Sequence, residues 1–385
     1  MFWVMPFLLW LYVCLRLVWP LPIARAARLA LMALLLLAAH YHLLLWRVFA
    51  SPFAPEMPRA LMILGSEAFA CFVWLAALTL AMDAGLLTAR LLRQRPSLRI
   101  ATAARALVMA AALALSAFSM VQALAVPDVR RVDVALRNLP AAWEGMRLVQ
   151  LTDLHLSPML NAHWAQQVVT KVNALSPDLV VITGDVIDGT PAQRAEEIRP
   201  LADLRARWGV VTILGNHEYY FGAQDWADTF RAQGMRVLLN EHVVLGTPDA
   251  PLVVAGLTDE AARRFDLPLP DAVQALDGAP PGAPVILLAH QPKQAANYAA
   301  PGVDWQLSGH THGGMVRGLD KLVARANAGF VAGGYAVGEM LLYVSRGTGL
   351  WNGFSQRLGV PAEITLFTLH PAPDARNAFL APEQP

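Results

Sequence analysis

Four long apolar runs fill the first third of this chain, and no water-soluble fold accommodates them easily. Phe2 to Trp19 is apolar except for Arg16; Ile23 to Phe49 contains LALMALLLLAAHYHLLLW; Leu61 to Leu92 contains LMILGSEAFACFVWLAALTLAM; Ala103 to Val126 contains ALVMAAALALSAFSMVQALAV. About 20 apolar residues carry a helix across the hydrocarbon core of a bilayer. The expectation is a helical transmembrane region of about four spans over 1–126. A cleaved signal peptide is the rival for the first run. That run lacks a basic start and a small-residue cleavage site, and a second long apolar stretch follows it.

Composition agrees with part of the chain lying in lipid. Of the 385 residues, 56% are hydrophobic and only 15% charged, with mean hydropathy +0.42. An average soluble domain carries roughly 25% charged residues. The formal net charge of +1 supplies no basic field for nucleic acid, so no nucleic-acid partner is expected. The two cysteines, Cys14 and Cys71, both lie in apolar runs, which excludes a disulfide framework or a cysteine zinc site in the rest of the chain.

Arginine placement suggests an orientation. Arg90, Arg93, Arg95, Arg99 and Arg105 lie between the third and fourth runs, with Arg16, Arg25 and Arg28 on the same side; Arg47, Arg59, Arg130 and Arg131 lie on the other. The richer side should be cytoplasmic, which puts everything after Val126 outside the cytoplasm. In the second run His40 and His42 would point about 200° apart on a continuous helix, so they cannot share a ligand. Glu67 is expected to reach the interface, and Trp3, Trp10, Trp19, Trp46 and Trp74 to anchor there.

After an expected linker at 127–145 the texture changes. Short β-rich runs (MRLVQLT, DLVVITG, VVTILG, PLVVAGLT, PVILLAH, VDWQLSG) alternate with helical candidates such as Ala162 to Leu175 and Asp225 to Gln233. This alternation predicts an α/β domain with a buried sheet over 146–370, and a tail at 371–385. Five of the runs end in metal-ligating residue types: Asp153-Leu154-His155, Gly184-Asp185, Gly215-Asn216-His217-Glu218, His290, and Gly309-His310-Thr311-His312. Five of the ten histidines fall at these points. Open α/β sheets build their sites at the carboxyl ends of strands. In an extended Asp153-x-His155, alternate residues point the same way, so one cation can take both. His310-x-His312 could hold one ion together or serve two. Glycines 184, 215 and 309 allow the backbone to turn sharply beside a ligand. Asp153, His155, Asp185, Asn216, His290, His310 and His312 are enough ligands for two divalent ions.

The ordered set D-x-H, G-D, G-N-H-E, H and G-H-x-H, over residues 146–369, resembles the calcineurin-like metallophosphoesterase superfamily. GNHEYY, SGHTHGG and SRGTGLWNGFSQRLGVPAEITLFTL are similar to its bacterial membrane-anchored branch, some members of which cleave lipid-linked phosphoesters. The resemblance implies an α/β fold, a two-sheet β-sandwich flanked by helices with the site at one end. It implies a first metal held by Asp153, His155 and His312, a second by Asn216, His290 and His310, and Asp185 as the bridge. His217 would face the phosphoryl group, with Glu218 orienting its imidazole. The implied reaction is hydrolysis of phosphoester or pyrophosphate bonds by a metal-bridged hydroxide, the metals being Mn, Fe or Zn. Met315 departs from the branch, where glutamine often follows GHTHGG.

The expected partners are membrane lipid and a phosphoester substrate, lipid-linked because four spans would hold the site near a bilayer. The expected location is a bacterial inner membrane, multi-pass, with the catalytic domain extracytoplasmic. An anchored general nucleotide or phosphodiester hydrolase stays open, as does a sensor or transport protein with a metal-binding domain. Several residues carry two readings. Asp188 supports the site or makes a turn, Arg346 and Arg357 contact phosphate or lipid or pair with carboxylates, and Tyr219 and Tyr220 line the mouth or pack under it. Asp259 reads as a loop residue, and His163, His242 and His370 as surface residues.

Overall fold

The computed structural model describes residues 4–92, 98–299, 302–373 and 376–380, with side chains throughout except at 98–101. The chain divides into two compact units: residues 1–123 with Asn352–Leu358, and 124–351 with 359–385.

The first unit is helical. Among the described residues, two helices are long and apolar enough to cross a membrane, Arg59–Leu91 and Thr102–Leu124, where four spans were expected. The second expected span is bent by 61° between Arg25–Ala39 and Tyr41–Phe49. His40 sits in the break and bonds Leu36 O through Nδ1 at 3.0 Å, so the helical phase between His40 and His42 does not hold. The first run, Val4–Val18, reaches roughly 22 Å at helical rise, short of the ~30 Å core. Arg16 pairs with Asp83 at 2.5 Å, Tyr12 donates to Asp83 at 2.8 Å, and Arg105 Nε donates to Arg16 O at 3.2 Å. Arg16 and Arg105 therefore meet at one end of the unit; Arg93 and Arg95 lie outside the described residues. Glu67 accepts from Ser116 Oγ on a neighbouring helix at 2.7 Å. Asn352–Leu358 is held by bonds from Asn352 Nδ2 to Phe53 O (2.9 Å), Trp74 Nε1 to Gln356 Oε1 (3.3 Å) and Arg357 N to Ser119 O (3.1 Å). Arg357 is buried there.

Among its described residues the second unit holds thirteen strands: β1 (Asp128–Leu136), β2 (Arg147–Leu151), β3 (Leu179–Thr183), β4 (Val210–Ile213), β5 (Arg236–Val237), β6 (Glu241–Thr247), β7 (Ala250–Gly256), β8 (Val285–Leu288), β9 (Trp305–Ser308), β10 (Gly333–Val337), β11 (Met340–Val344), β12 (Glu363–Pro371) and β13 (Ala378–Leu380). One sheet runs β13-β1-β12-β2-β3-β4-β5, the other β10-β11-β9-β8-β7-β6. The supposed linker is partly sheet, since β1 pairs in parallel with all of β12 and buries Val134 and Leu136. The supposed tail contributes β13, antiparallel to β1.

Alternation along β3 shows how the layers form. Leu179 and Val181 face the second sheet, meeting a cluster with Val254, Ile286, Leu288 and Trp305. Val180 and Ile182 face the helices, packing with Trp164, Val168, Trp226 and Phe230. Both faces are covered, so the strand is an unbroken apolar run. Helix Ala162–Ala174 begins where the Asn161 side chain accepts Trp164 N, satisfying one of the free first-turn donors. The motif strands β2, β3 and β4 are parallel neighbours, as are β8 and β9, so each group delivers its carboxyl ends side by side.

Candidate metal centre

The loops after β2 and β3 are laced together before any side chain acts. Asp153 N donates to Gly184 O (3.0 Å), His155 N to Asp185 O (3.1 Å) and Asp188 N to Leu156 O (3.0 Å). Gly309 N donates to His290 O at 2.9 Å, tying the β8 and β9 ends together. Within this frame Asp153, His155, Asp185, His310 and His312 all take left-handed backbone, with φ of 51°, 46°, 52°, 70° and 48°. Non-glycine residues rarely do so, at a cost of about 1 kcal/mol or more each, and such residues gather at functional sites. Asp153 and His155 therefore converge through a coiled segment rather than the extended one expected, because the pleat ends at Leu151.

Three groups of potential ligand atoms result: Asp153, His155 and His312; His155, Asp185 and His217; and Asp185, His290 and His310. His310 and His312 fall into different groups. Asp185 Oδ2 stands 3.8 Å from His155 Nε2 and 3.3 Å from His290 Nε2, so one carboxylate faces both ends of the site. His312 Nε2 is 3.5 Å from Asp153 Oδ1, and Asn216 Oδ1 is 3.1 Å from His290 Nε2. Asp153 accepts His310 N at 3.0 Å and the Thr152 hydroxyl at 2.8 Å. A Cβ on Gly309 would collide with Thr152 Oγ1 and Asp153 Oδ2, and one on Gly215 with Asp185 Oδ1.

The outer bonds fit a metal. His290 Nδ1 donates to Thr183 O at 2.8 Å and His155 Nδ1 faces Asp188 Oδ1 at 3.2 Å. Both rings thereby turn Nε2 to the interior, the usual orientation of metal-bound histidines. His155 Nε2 and His312 Nε2 approach to 3.2 Å, where a shared cation would take both nitrogens. Burial, then the neighbouring His290, pushes His310 down to about 3, so its imidazole is neutral as a ligand must be.

His217 is held by its other nitrogen. Its Nδ1 lies 2.5 Å from Asp188 Oδ1, and its Nε2 4.0 Å from Asp185 Oδ2. Burial opposes the imidazolium, but Asp185 and Asp188 outweigh it and raise His217 to about 9. Burial likewise opposes ionisation of Asp188, but His155 and His217 hold it at about 2.

Glu218, expected to orient His217, does something else. Its Oε2 accepts Gly215 N (2.7 Å) and Asp185 N (3.0 Å), and its Oε1 accepts Val186 N (2.7 Å) and Ile187 N (3.3 Å). Asp188 is the orienting carboxylate. Its signal in the sequence was G-D-V-I-D, a second aspartate three residues after the first, brought opposite His155 by the Leu156–Ile187 bridge.

The remaining residues sort by burial. Tyr219 packs beneath the site with Asp259 N donating to its hydroxyl (3.4 Å), whereas Tyr220 is exposed with its ring 5.4 Å from that of His217. Asp259 caps the turn Glu260–Phe265 and takes Gln291 Nε2 at 2.9 Å. Arg346 lies against the Gly313 turn, 3.9 Å from Glu363. His242 bonds Ala275 O and His370 pairs with Glu144; both lie apart from the centre, as does exposed His163.

The calcineurin-like phosphoesterase family profile matches residues 146–314. An uncharacterized metallophosphoesterase of Campylobacter jejuni is 40% identical over 253 residues, which is 65% of each chain. A transmembrane protein with metallophosphoesterase domain from Danio rerio is 35% identical over 276 residues, 69% of this chain and 62% of that one. An uncharacterized metallophosphoesterase of Aquifex aeolicus is 30% identical over 249 residues, 63% of this chain and 91% of that one. The chain thus spans just under two thirds of the first two relatives.

Proposed function

The chain belongs to the calcineurin-like phosphoesterase family, and on that footing we propose that it is a membrane-anchored, two-metal phosphoric ester hydrolase. The observation that carries this reading is Asp185 Oδ2, placed between His155 and His290 with His217 Nε2 beside it. Asp153, His155 and His312 would hold one divalent ion (Mn, Fe or Zn), Asn216, His290 and His310 the other, and Asp185 both. Bound there, the ions supply a water acidified to near neutrality and neutralise charge on the phosphoryl oxygens.

The chain's own groups do the rest. Asp188 fixes the His217 tautomer and stabilises its imidazolium, leaving Nε2 as the proton-bearing atom turned to the substrate. His217 then donates that proton to the leaving oxygen as a general acid. Glu218 holds the backbone of the β3 and β4 loops so that Asp185 and Asn216 keep their places. Helices Arg59–Leu91 and Thr102–Leu124 anchor the chain in a bacterial inner membrane, and the arginine bias puts the catalytic unit outside the cytoplasm.

Turnover of bis(4-nitrophenyl) phosphate by the full-length protein with Mn²⁺ tests the reading. Asp185→Asn and His217→Ala should each remove most of it. Full rate in both variants would show that the reaction, if any, occurs elsewhere.

A further inference from the structure

Residues 263–269, RRFDLPL, are exposed without interruption, and three of the seven are large and apolar. Phe265 is 43% exposed, Leu267 41% and Leu269 38%. The segment is nonetheless fixed. Ala262 before it is buried, Leu267 N donates to Ala262 O at 3.2 Å, and buried Asn240 donates through Nδ2 to Leu269 O at 2.8 Å. Asn240 Oδ1 also accepts Thr258 N and Asp271 N, both at 3.1 Å. Pro268 and Pro270 restrict φ through the strip. Apolar side chains held outward together on a pinned backbone are the kind of exposed patch that marks a binding surface.

The strip leads to the metal centre. The ring of Phe265 is 6.4 Å from that of exposed Tyr220, which is 5.4 Å from that of His217. Apolar surface therefore continues from the proton donor through Tyr220 to Phe265, and Leu267 and Leu269 follow in the same exposed segment. Arg264, exposed, lies near Tyr220, where an anionic phosphoryl group would need a cation.

We propose that residues 263–269, with Tyr220, seat the apolar chain of an amphiphilic phosphoester while its phosphoryl group occupies the metal centre. This rests on the hydrolase reading above and narrows its substrate class to esters bearing an alkyl or prenyl chain.

The test uses full-length protein in amphipol with Mn²⁺ and 4-nitrophenyl alkyl phosphodiesters from methyl to hexyl, all monomeric in solution. A methylene fully removed from water raises binding about fourfold; on an open strip, covered from one side, about twofold is expected. The hexyl-to-methyl ratio of kcat/KM should then be about 30. The combined variant Phe265→Ser, Leu267→Ser, Leu269→Ser should bring that ratio to within about threefold of one. Because each ratio is taken within one protein, a general loss of activity cancels. Val244→Ser, which changes an exposed apolar residue on β6, should keep the wild-type ratio. A flat wild-type series, or the same slope in the triple variant, would overturn the proposal while leaving the hydrolase reading intact. A variant defect confined to esters embedded in nanodisc lipid would overturn it too, assigning the strip to the bilayer surface. Failure to turn over even the methyl ester would sink the hydrolase reading, and this inference with it.

Discussion

Replacing Glu218 by glutamine should dismantle the site through the backbone. Each Glu218 oxygen accepts two N–H groups, Gly215 and Asp185 on one, Val186 and Ile187 on the other, and the residue is wholly buried. An amide keeps one accepting oxygen and turns an NH₂ donor onto the other pair. Two backbone donors are then left without acceptors, at about 1–3 kcal/mol each, so about 4 kcal/mol in all. That is a large part of a stability of roughly 5–15 kcal/mol. It falls on the two residues that position Asp185 and Asn216. Hydrogen exchange on the full-length protein reads the effect directly. Protection of the amides of Asp185, Val186, Ile187 and Gly215 should drop by about 1,000-fold, a tenfold loss for each 1.4 kcal/mol, and turnover should fall with it. The reasoning fails if Glu218→Gln keeps these amides protected and only moves the pH profile. That result would mean Glu218 acts on the His217 ring, as its place in the sequence suggested.

Asp188→Asn should move the pH profile instead. His217 is raised from 6.5 to about 9, so the stabilisation and the proton it carries are complete below 6.5 and lost as pH rises through about 9. Removing the Asp188 charge lowers that pKa, so the alkaline limb of kcat/KM and of thermal stability should both shift to lower pH; unchanged limbs would contradict the assignment. Gly309→Ala should push Asp153 aside, since its Cβ would strike Asp153 Oδ2. Displacement of a ligand by about 1 Å costs about 100-fold in turnover, and elemental analysis should show metal lost from the protein; full metal content and rate would refute the close packing. A reporter enzyme active only outside the cytoplasm, fused after Val126, should be active; a silent fusion would reverse the orientation.

Much of the centre was legible because its ligands sit at strand ends, and strands β2, β3, β4, β8 and β9 are buried on both faces. Their runs, apolar but for residues such as Gln150, Thr212 and Gln306, stop abruptly at Asp, His or Gly, and the stop is the signal. What the chain hid is tertiary. Asp188 and Glu218 are both carboxylates near His217, but only the fold decides which meets the ring. Glu218, its neighbour in sequence, turns away into four N–H groups. The left-handed backbone at Asp153 and His155 carries no sequence mark, because neither residue is glycine. β1 was lost in a supposed linker because Arg130, Arg131 and Asp133 interrupt its apolar residues. In the helical unit, hydropathy ran through His40 without a break, and the bend there was invisible to it.

The central claim is that one carboxylate, Asp185, joins two metal sites that act together. It is tested most directly by counting metal per chain in the full-length protein loaded with Mn²⁺ while following turnover of bis(4-nitrophenyl) phosphate. Two ions per chain, with turnover appearing as the second one binds and with both ions lost or weakened in Asp185→Asn, is the predicted result. Full turnover with a single ion, or two tightly held ions in Asp185→Asn, would contradict it.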